Sequence, residues 1–238
     1  MKGTTAASGR GKAPVPSADQ TRAALVRAAL KLFGSQGFTG TSTREIATLA
    51  RANIGSIAYH FGGKEGLRLA AADHIVETIQ TVAGQALGGF DAISEPASTP
   101  EAAQAQLHAA LDRMVLFIVA QPEAGEIVQF LLRELSHPTA ALDRIYSGVF
   151  EPVHRRLCMV WEAATSEPAD SDRTKLAIFT LIGQVVYFRI GREAVRRRMG
   201  WEAIGPAQAA LVTAVAKDNL DAMLAFRKGV SREREGSL

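Results

Sequence analysis

Apolar residues recur along this chain at spacings of three and four and almost nowhere at a spacing of two, so the pattern predicts helices throughout and no sheet. The first element opens at Ser17-x-x-Gln20, a capping-box spacing, and carries Leu25, Ala28, Ala29, Leu32 and Phe33 on one face. Gly34 and Gly37 are expected to end it. A second box, Ser42-x-x-Glu45, opens a short helix with Ile46, Leu49 and Ala50 on one side, followed by a turn at Arg51-Ala52-Asn53. Asn53 can cap a third helix from about Ile54 to His60, which buries Ile57 and Phe61 and stops at Gly62-Gly63. From Lys64 a longer helix places Leu67, Ala71, Ile75, Ile79 and Val82 together until Gly84 to Gly89 loosen it, and it links two domains.

Past a loop at 91–100, helical patterns follow at roughly 101–120, 124–136, 139–165, 170–195 and 206–228. Pro152 falls inside the 139–165 pattern, where it removes an amide donor and sets its ring against the carbonyl of Gly148, so a kink or break is expected there. The fold class is therefore all-α: an N-terminal three-helix domain over 17–65 and a helical bundle domain over 66–228. Residues 1–16 read as a disordered basic arm and 229–238 as a disordered polar tail.

Charge sharpens this division. Residues 1–68 carry ten Lys/Arg against three Asp/Glu, whereas the remainder carries 17 against 21, so a basic module sits on an acidic body. That is the distribution expected when only the N-terminal module meets a polyanion. Cys158 is the single cysteine, which excludes an intrachain disulfide or a thiolate cluster and fits a reducing cytoplasm. The N-terminus lacks the apolar core of a secretion signal, and no apolar run approaches the ~20 residues of a membrane span.

Two short helices joined by a three-residue turn, the second with small and polar outward residues, form a unit able to lay one helix in a DNA major groove. The residues then add identity. Thr21-Arg22, Ala29-Leu30-Lys31-Leu32-Phe33, Gly37-Phe38, Thr43-Arg44-Glu45-Ile46-Ala47 and the run Ile54 to Leu67, with Tyr59-His60-Phe61-Gly62-Gly63-Lys64-Glu65-Gly66-Leu67 its most specific part, closely resemble the DNA-binding domain of TetR-type regulators. Phe130 to Glu134, Ala141 to Tyr146, Pro152-Val153-His154 and Gly200 to Pro206 resemble the C-terminal domain of the CecR-type subfamily. The resemblance implies a ligand-responsive regulator, usually a repressor, that dimerises through its C-terminal domain, binds a palindromic operator, and needs no cofactor. Two positions depart from the pattern: Arg51 stands in the turn where Gly is usual, at a cost of roughly 1 kcal/mol if that residue is left-handed, and Ala58 replaces a common Tyr.

Thr43, Tyr59, His60 and Lys64 stand near helix ends and are the candidate phosphate donors, with capping or plain solvation as the alternative. Arg44, Asn53, Gly55 and Ser56 lie outward on the helix pair. Arg or Asn there can read guanine or adenine edges, though Asn53 has capping as its simpler use. In the larger domain Phe130, Arg133, Glu134, His137, Arg144, His154, Cys158, Trp161, Gln184 and Tyr187 are candidate linings of an apolar effector pocket, packed core and paired surface being the competing reading. His154 and Cys158, at i and i+4, raise an enzyme reading, but no third partner, phosphate loop or metal motif accompanies them. Arg196-Arg197-Arg198, with Arg189 and Arg192, reads as a solvated helix end more simply than as a nucleic-acid patch. The apolar residues Leu176, Phe179, Ile182, Val186 and Ile190, and Leu211, Val215, Leu220 and Leu224, exceed what one protomer can bury, so these two helices are expected to form the dimer interface.

Overall fold

A computed structural model describes residues 17–87 and 99–235; the expected N-terminal arm lies outside these. No strand occurs among the described residues, and eleven helices follow one another: α1 (Ala18–Gly40), α2 (Thr43–Leu49), α3 (Gly55–Phe61), α4 (Lys64–Leu87), α5 (Pro100–Val115), α6 (Glu123–Ser136), α7 (Ala140–Ile145), α8 (Glu151–Thr165), α9 (Asp172–Ile190), α10 (Arg192–Met199) and α11 (Pro206–Glu235). Both capping boxes form. The Ser17 and Ser42 hydroxyls accept from the amides of Gln20 and Glu45, each at 3.1 Å, and the Gln20 and Glu45 side chains accept in return from the Ser17 and Ser42 amides. No single helix among the described residues is long and apolar enough to cross a membrane.

Gly34 does not end α1. It is buried where α6 crosses, and a Cβ there would lie 3.2 Å from both Gln129 Cβ and the Phe130 amide nitrogen, so its role is close helix approach. The break comes at Gly37, with φ of 80°, and a short turn then completes α1 to Gly40. α11 runs on to Glu235 where a disordered tail was expected from 229, leaving 236–238 outside the described residues. Arg, Glu and Lys are good helix formers, and their propensity favours continuing the helix.

The interior falls into two apolar clusters. One joins α1 to α4 around Leu25, Ala29, Phe33, Ile46, Ile57, Leu67 and Ile75, and draws in Ile127 and Phe130 of α6 and Ala141 and Ile145 of α7. The other packs α5, α8, α9 and α11 around Leu107, Leu111, Trp161, Ile178, Leu220 and Leu224. Helices α6 and α7 of the larger domain thus complete the core of the smaller one. Leu49, expected on the inner side of α2, is instead 46% exposed.

Two π-helical turns were not readable from periodicity: Leu116–Ala120, closing α5, and Tyr146–Phe150, between α7 and α8. The second splits the pattern at 139–165. Pro152 then stands in the first turn of α8, a position where its missing amide costs little, and the chain absorbs it without an orphan carbonyl. The Gly148 oxygen accepts from Gln80 Nε2 of α4 at 2.9 Å. Carbonyls around the first π turn are met by arginines: Arg189 donates to Ile118 and Gln121, and Arg192 to Val119 and Ile204. Burial and the neighbouring Arg192 pull the pKa of Arg189 down. Arg196 and Arg197 both donate to Glu193 and hold its carboxyl at about 2, so these two arginines of the basic run are paired within α10.

Candidate nucleic-acid interface

α2 and α3 form the helix pair. α2 ends in paired bonds from Arg51 N to Thr48 O at 3.1 Å and from Ala52 N to Ala47 O at 2.9 Å, a Schellman motif whose left-handed residue is Arg51, with φ of 53°. Asn53 Oδ1 then accepts from the Gly55 amide at 2.8 Å, so Asn53 shapes the entry to α3 while its NH2 group remains outward. Ile57 anchors α3 in the core at 2% exposure, and Gly62, with φ of 71°, stops it. The opposite face is bare: Arg44, Asn53, Gly55 and Tyr59 are exposed, and Thr43, Ser56, His60 and Lys64 are half-buried.

The start of α4 is fixed to the end of α3 by contact. A Cβ on Gly66 would fall 1.9 Å from the Phe61 carbonyl oxygen, so only glycine lets the two helices meet this closely. Gly66 enters the sequence reading only as part of the run from Tyr59 to Leu67; a lone glycine inside a helical pattern does not signal this close approach. Lys64 Nζ and Arg68 Cζ sit 4.3 and 4.2 Å from the Phe38 ring centroid, so one aromatic ring orients both cations. Tyr59, at 84% exposure, meets the His60 ring edge-on at 4.9 Å between centroids. The Ser42 hydroxyl and amide both donate to Glu45 and lower its carboxyl pKa, which keeps this acid engaged with the cap. The eight expected DNA-contacting residues therefore gather along one open edge formed by α2, the turn, α3 and the first turn of α4.

Of the residues proposed from sequence as an effector pocket, His154 and Cys158 lie in contact, while the others are engaged separately along the helices. Phe130 is in the shared core. Arg133 Nε and Nη2 donate to the Gly34 and Ser35 carbonyls, each at 2.6 Å, tying α6 to the end of α1. Glu134 is buried, accepts from Thr139 Oγ1 and faces Arg68 at 3.9 Å. Arg144 bridges to Asp73 on α4 at 2.7 Å. His137 is exposed after α6. These are interdomain ties, which residue type alone does not distinguish from ligand anchors. His154 stacks on Phe179 at 4.1 Å, contacts the Lys175 carbonyl through Nε2 at 3.1 Å, and lies 3.6 Å from Cys158 Sγ through Nδ1. Burial pushes the Cys158 thiol up to about 11, so it is a neutral packed thiol rather than a nucleophile at pH 7. Trp161 is fully buried and donates to Glu167 at 3.1 Å, Gln184 accepts from Asn219 at 3.0 Å, and Tyr187 is exposed.

A cleft of about 310 Å³ opens elsewhere, between α4, the end of α5 and the start of α6, lined by Thr78, Val82, Gln85, Arg113, Leu116, Phe117, Gln121 and Glu123. Arg113 crosses it to donate to Gln85 at 2.7 Å. None of these residues is marked as an effector contact by the sequence, where Val82 reads only as part of the apolar face of α4, because the π turn at Leu116 and Phe117 has no periodic signature.

A basic helix-turn-helix head on a helical body defines a DNA-binding transcription regulator. Residues 25–71 match the model of bacterial regulatory proteins of the tetR family, and residues 103–226 match the C-terminal domain of the HTH-type transcriptional dual regulator CecR. CecR of Shigella flexneri is 31% identical over 206 residues, covering 87% of this chain and 92% of that protein. The HTH-type transcriptional repressor NicS of Pseudomonas putida is 45% identical over 58 residues, 24% of this chain and 27% of its own length. Among solved structures, AibR in complex with isovaleryl coenzyme A and operator DNA superposes with a TM-score of 0.59 at 16% identity, covering 87% of this chain and 97% of that one. A TetR-family regulator from Mesorhizobium loti gives 0.57 at 18% identity, covering 89% and 98%. The chain belongs to the TetR family, with a C-terminal domain of the CecR type, and is a transcription regulator.

Proposed function

We propose that the protein acts in the cytoplasm as a dimeric repressor that binds a palindromic operator through Thr43, Arg44, Asn53, Gly55, Ser56, Tyr59, His60 and Lys64, and releases it when a small molecule enters the cleft beside α4. One observation carries this reading: α4 contributes Lys64 to the DNA edge and Thr78, Val82 and Gln85 to the cleft, so one rigid element lines both sites. A ligand of mostly apolar character with a few polar groups suits the cleft's size and lining. A ligand that favours a different orientation of α4 shifts the spacing of the two reading heads and weakens operator binding through its differential affinity for the two states.

Dimerisation is supported by apolar side chains that the protomer leaves bare. Leu176, Phe179, Tyr187 and Ile190 of α9, and Leu211, Val215 and Phe226 of α11, are all more than half exposed and recur at helical spacing. Leu220 and Leu224, counted toward this interface from sequence, belong to the protomer core instead. CecR of Shigella flexneri is named a dual regulator and NicS a repressor. The exposed edge itself does not encode the direction of control, and repression rests on the family expectation.

Replacing Lys64 or His60 by Ala is expected to weaken operator and random duplexes about equally, whereas Arg44→Ala removes discrimination between them by about 1–3 kcal/mol. Titration of both duplexes by fluorescence anisotropy checks this. Equal losses on both for Arg44→Ala would remove its base-reading role.

A further inference from the structure

Arg51 is one of two non-glycine residues with positive φ among the described residues, the other being Ser166. Its conformation is dictated by the Schellman bonds of Arg51 N and Ala52 N, and this position favours glycine, or else asparagine. The backbone bonds account for the left-handed turn but not for an arginine in it: the side chain is exposed and, among the described residues, no ion pair, side-chain hydrogen bond or aromatic contact is seen for it. A residue held in a disfavoured backbone region without an internal partner points to a use outside the protomer. Arg51 stands between α2, the helix that crosses the DNA backbone in this motif, and α3, the helix that enters the groove. Its Cα is within about 7.6 Å of that of Asn53, two peptide steps away. With α3 laid in a major groove, a guanidinium at the junction of these two helices would face the phosphates along its rim.

We propose that Arg51 is an additional contact to a backbone phosphate of the duplex, retained despite the left-handed geometry that would favour glycine. The proposal rests on the DNA interface described above and adds to it a residue outside both helices. It commits to phosphate rather than to a base edge, so its contribution is independent of sequence and is screened by salt.

The test compares the full-length protein with its Arg51→Gly and Arg51→Lys variants, using a short random-sequence duplex and a duplex selected by the protein from genomic fragments. Arg51→Gly relieves the backbone and is expected to raise the melting temperature by about 2–4 °C. It is also expected to weaken binding to both duplexes several-fold and to reduce the slope of log K against log salt by about 1. Arg51→Lys keeps the charge and the strain and should bind like the parent. The proposal is overturned if Arg51→Gly binds both duplexes as tightly as the parent with the same salt slope, or if its loss is confined to the selected duplex. A parent protein whose binding does not respond to salt would instead overturn the interface reading itself, so the two failures are distinguishable.

Discussion

Leu176→Glu leaves the protomer folded and turns a dimer into a monomer at micromolar concentration. Leu176 is 64% exposed on α9 and makes no contribution to either core cluster, so the protomer has nothing to lose. In the proposed dimer the same position would lie in an apolar four-helix seam with the exposed Phe179, Leu211 and Val215, and the symmetry of that interface would bring two new carboxylates into it. An uncompensated charge in such a seam costs about 3–5 kcal/mol, more than a hundredfold in the dimer dissociation constant. Operator affinity falls with it, because two heads on one body bind the second half-site at high effective concentration and separate heads do not. Light scattering and thermal melting on the same sample check both halves of this expectation. A variant that stays dimeric would place the interface on another surface.

Gly148→Ala is expected to destabilise the protein by about 1–3 kcal/mol, the range for overpacking a filled site, and to alter operator affinity from a position remote from DNA. A Cβ on Gly148 would lie 2.8 and 3.0 Å from the two methyl carbons of Val76 on α4, so that helix must move away. Moving it also strains the bond from Gln80 to the Gly148 carbonyl, which is the acceptor that Pro152 leaves vacant. Because Val76 is the residue struck, Val76→Ala in the same chain should restore both melting temperature and operator affinity, and the double-mutant cycle isolates the clash from any intrinsic effect of alanine on the π turn. Additive losses in the double variant would mean that Gly148 and α4 are not coupled through this contact.

The helix-turn-helix head was largely legible from residue order because its determinants are local. Two capping boxes and the glycines at Gly37 and Gly62 each act within a few residues, and each forms as expected, although Leu49 of the expected inner face of α2 is exposed. Arg51 shows the same locality: its left-handed state follows from the turn that α2 and α3 require. The larger domain was legible only as helices. Its cleft depends on a π turn after α5, and its Pro152 on a donor from Gln80, which lies 68 residues before the carbonyl it satisfies. Polar side chains such as Arg133, Glu134 and Arg144 look alike in sequence whether they hold a ligand or another helix, and here they hold α1 and α4.

We propose that α4 transmits occupancy of the cleft to the DNA edge, and filling the cleft covalently tests this without knowledge of the effector. Val82→Trp places an indole in the cleft beside Leu116 and Phe117. Anisotropy titration of this variant against the selected operator should show an affinity about five- to 150-fold lower than the parent, the usual range of allosteric coupling, with random-duplex affinity much less affected. Unchanged operator affinity in a folded, dimeric Val82→Trp protein would contradict the claim.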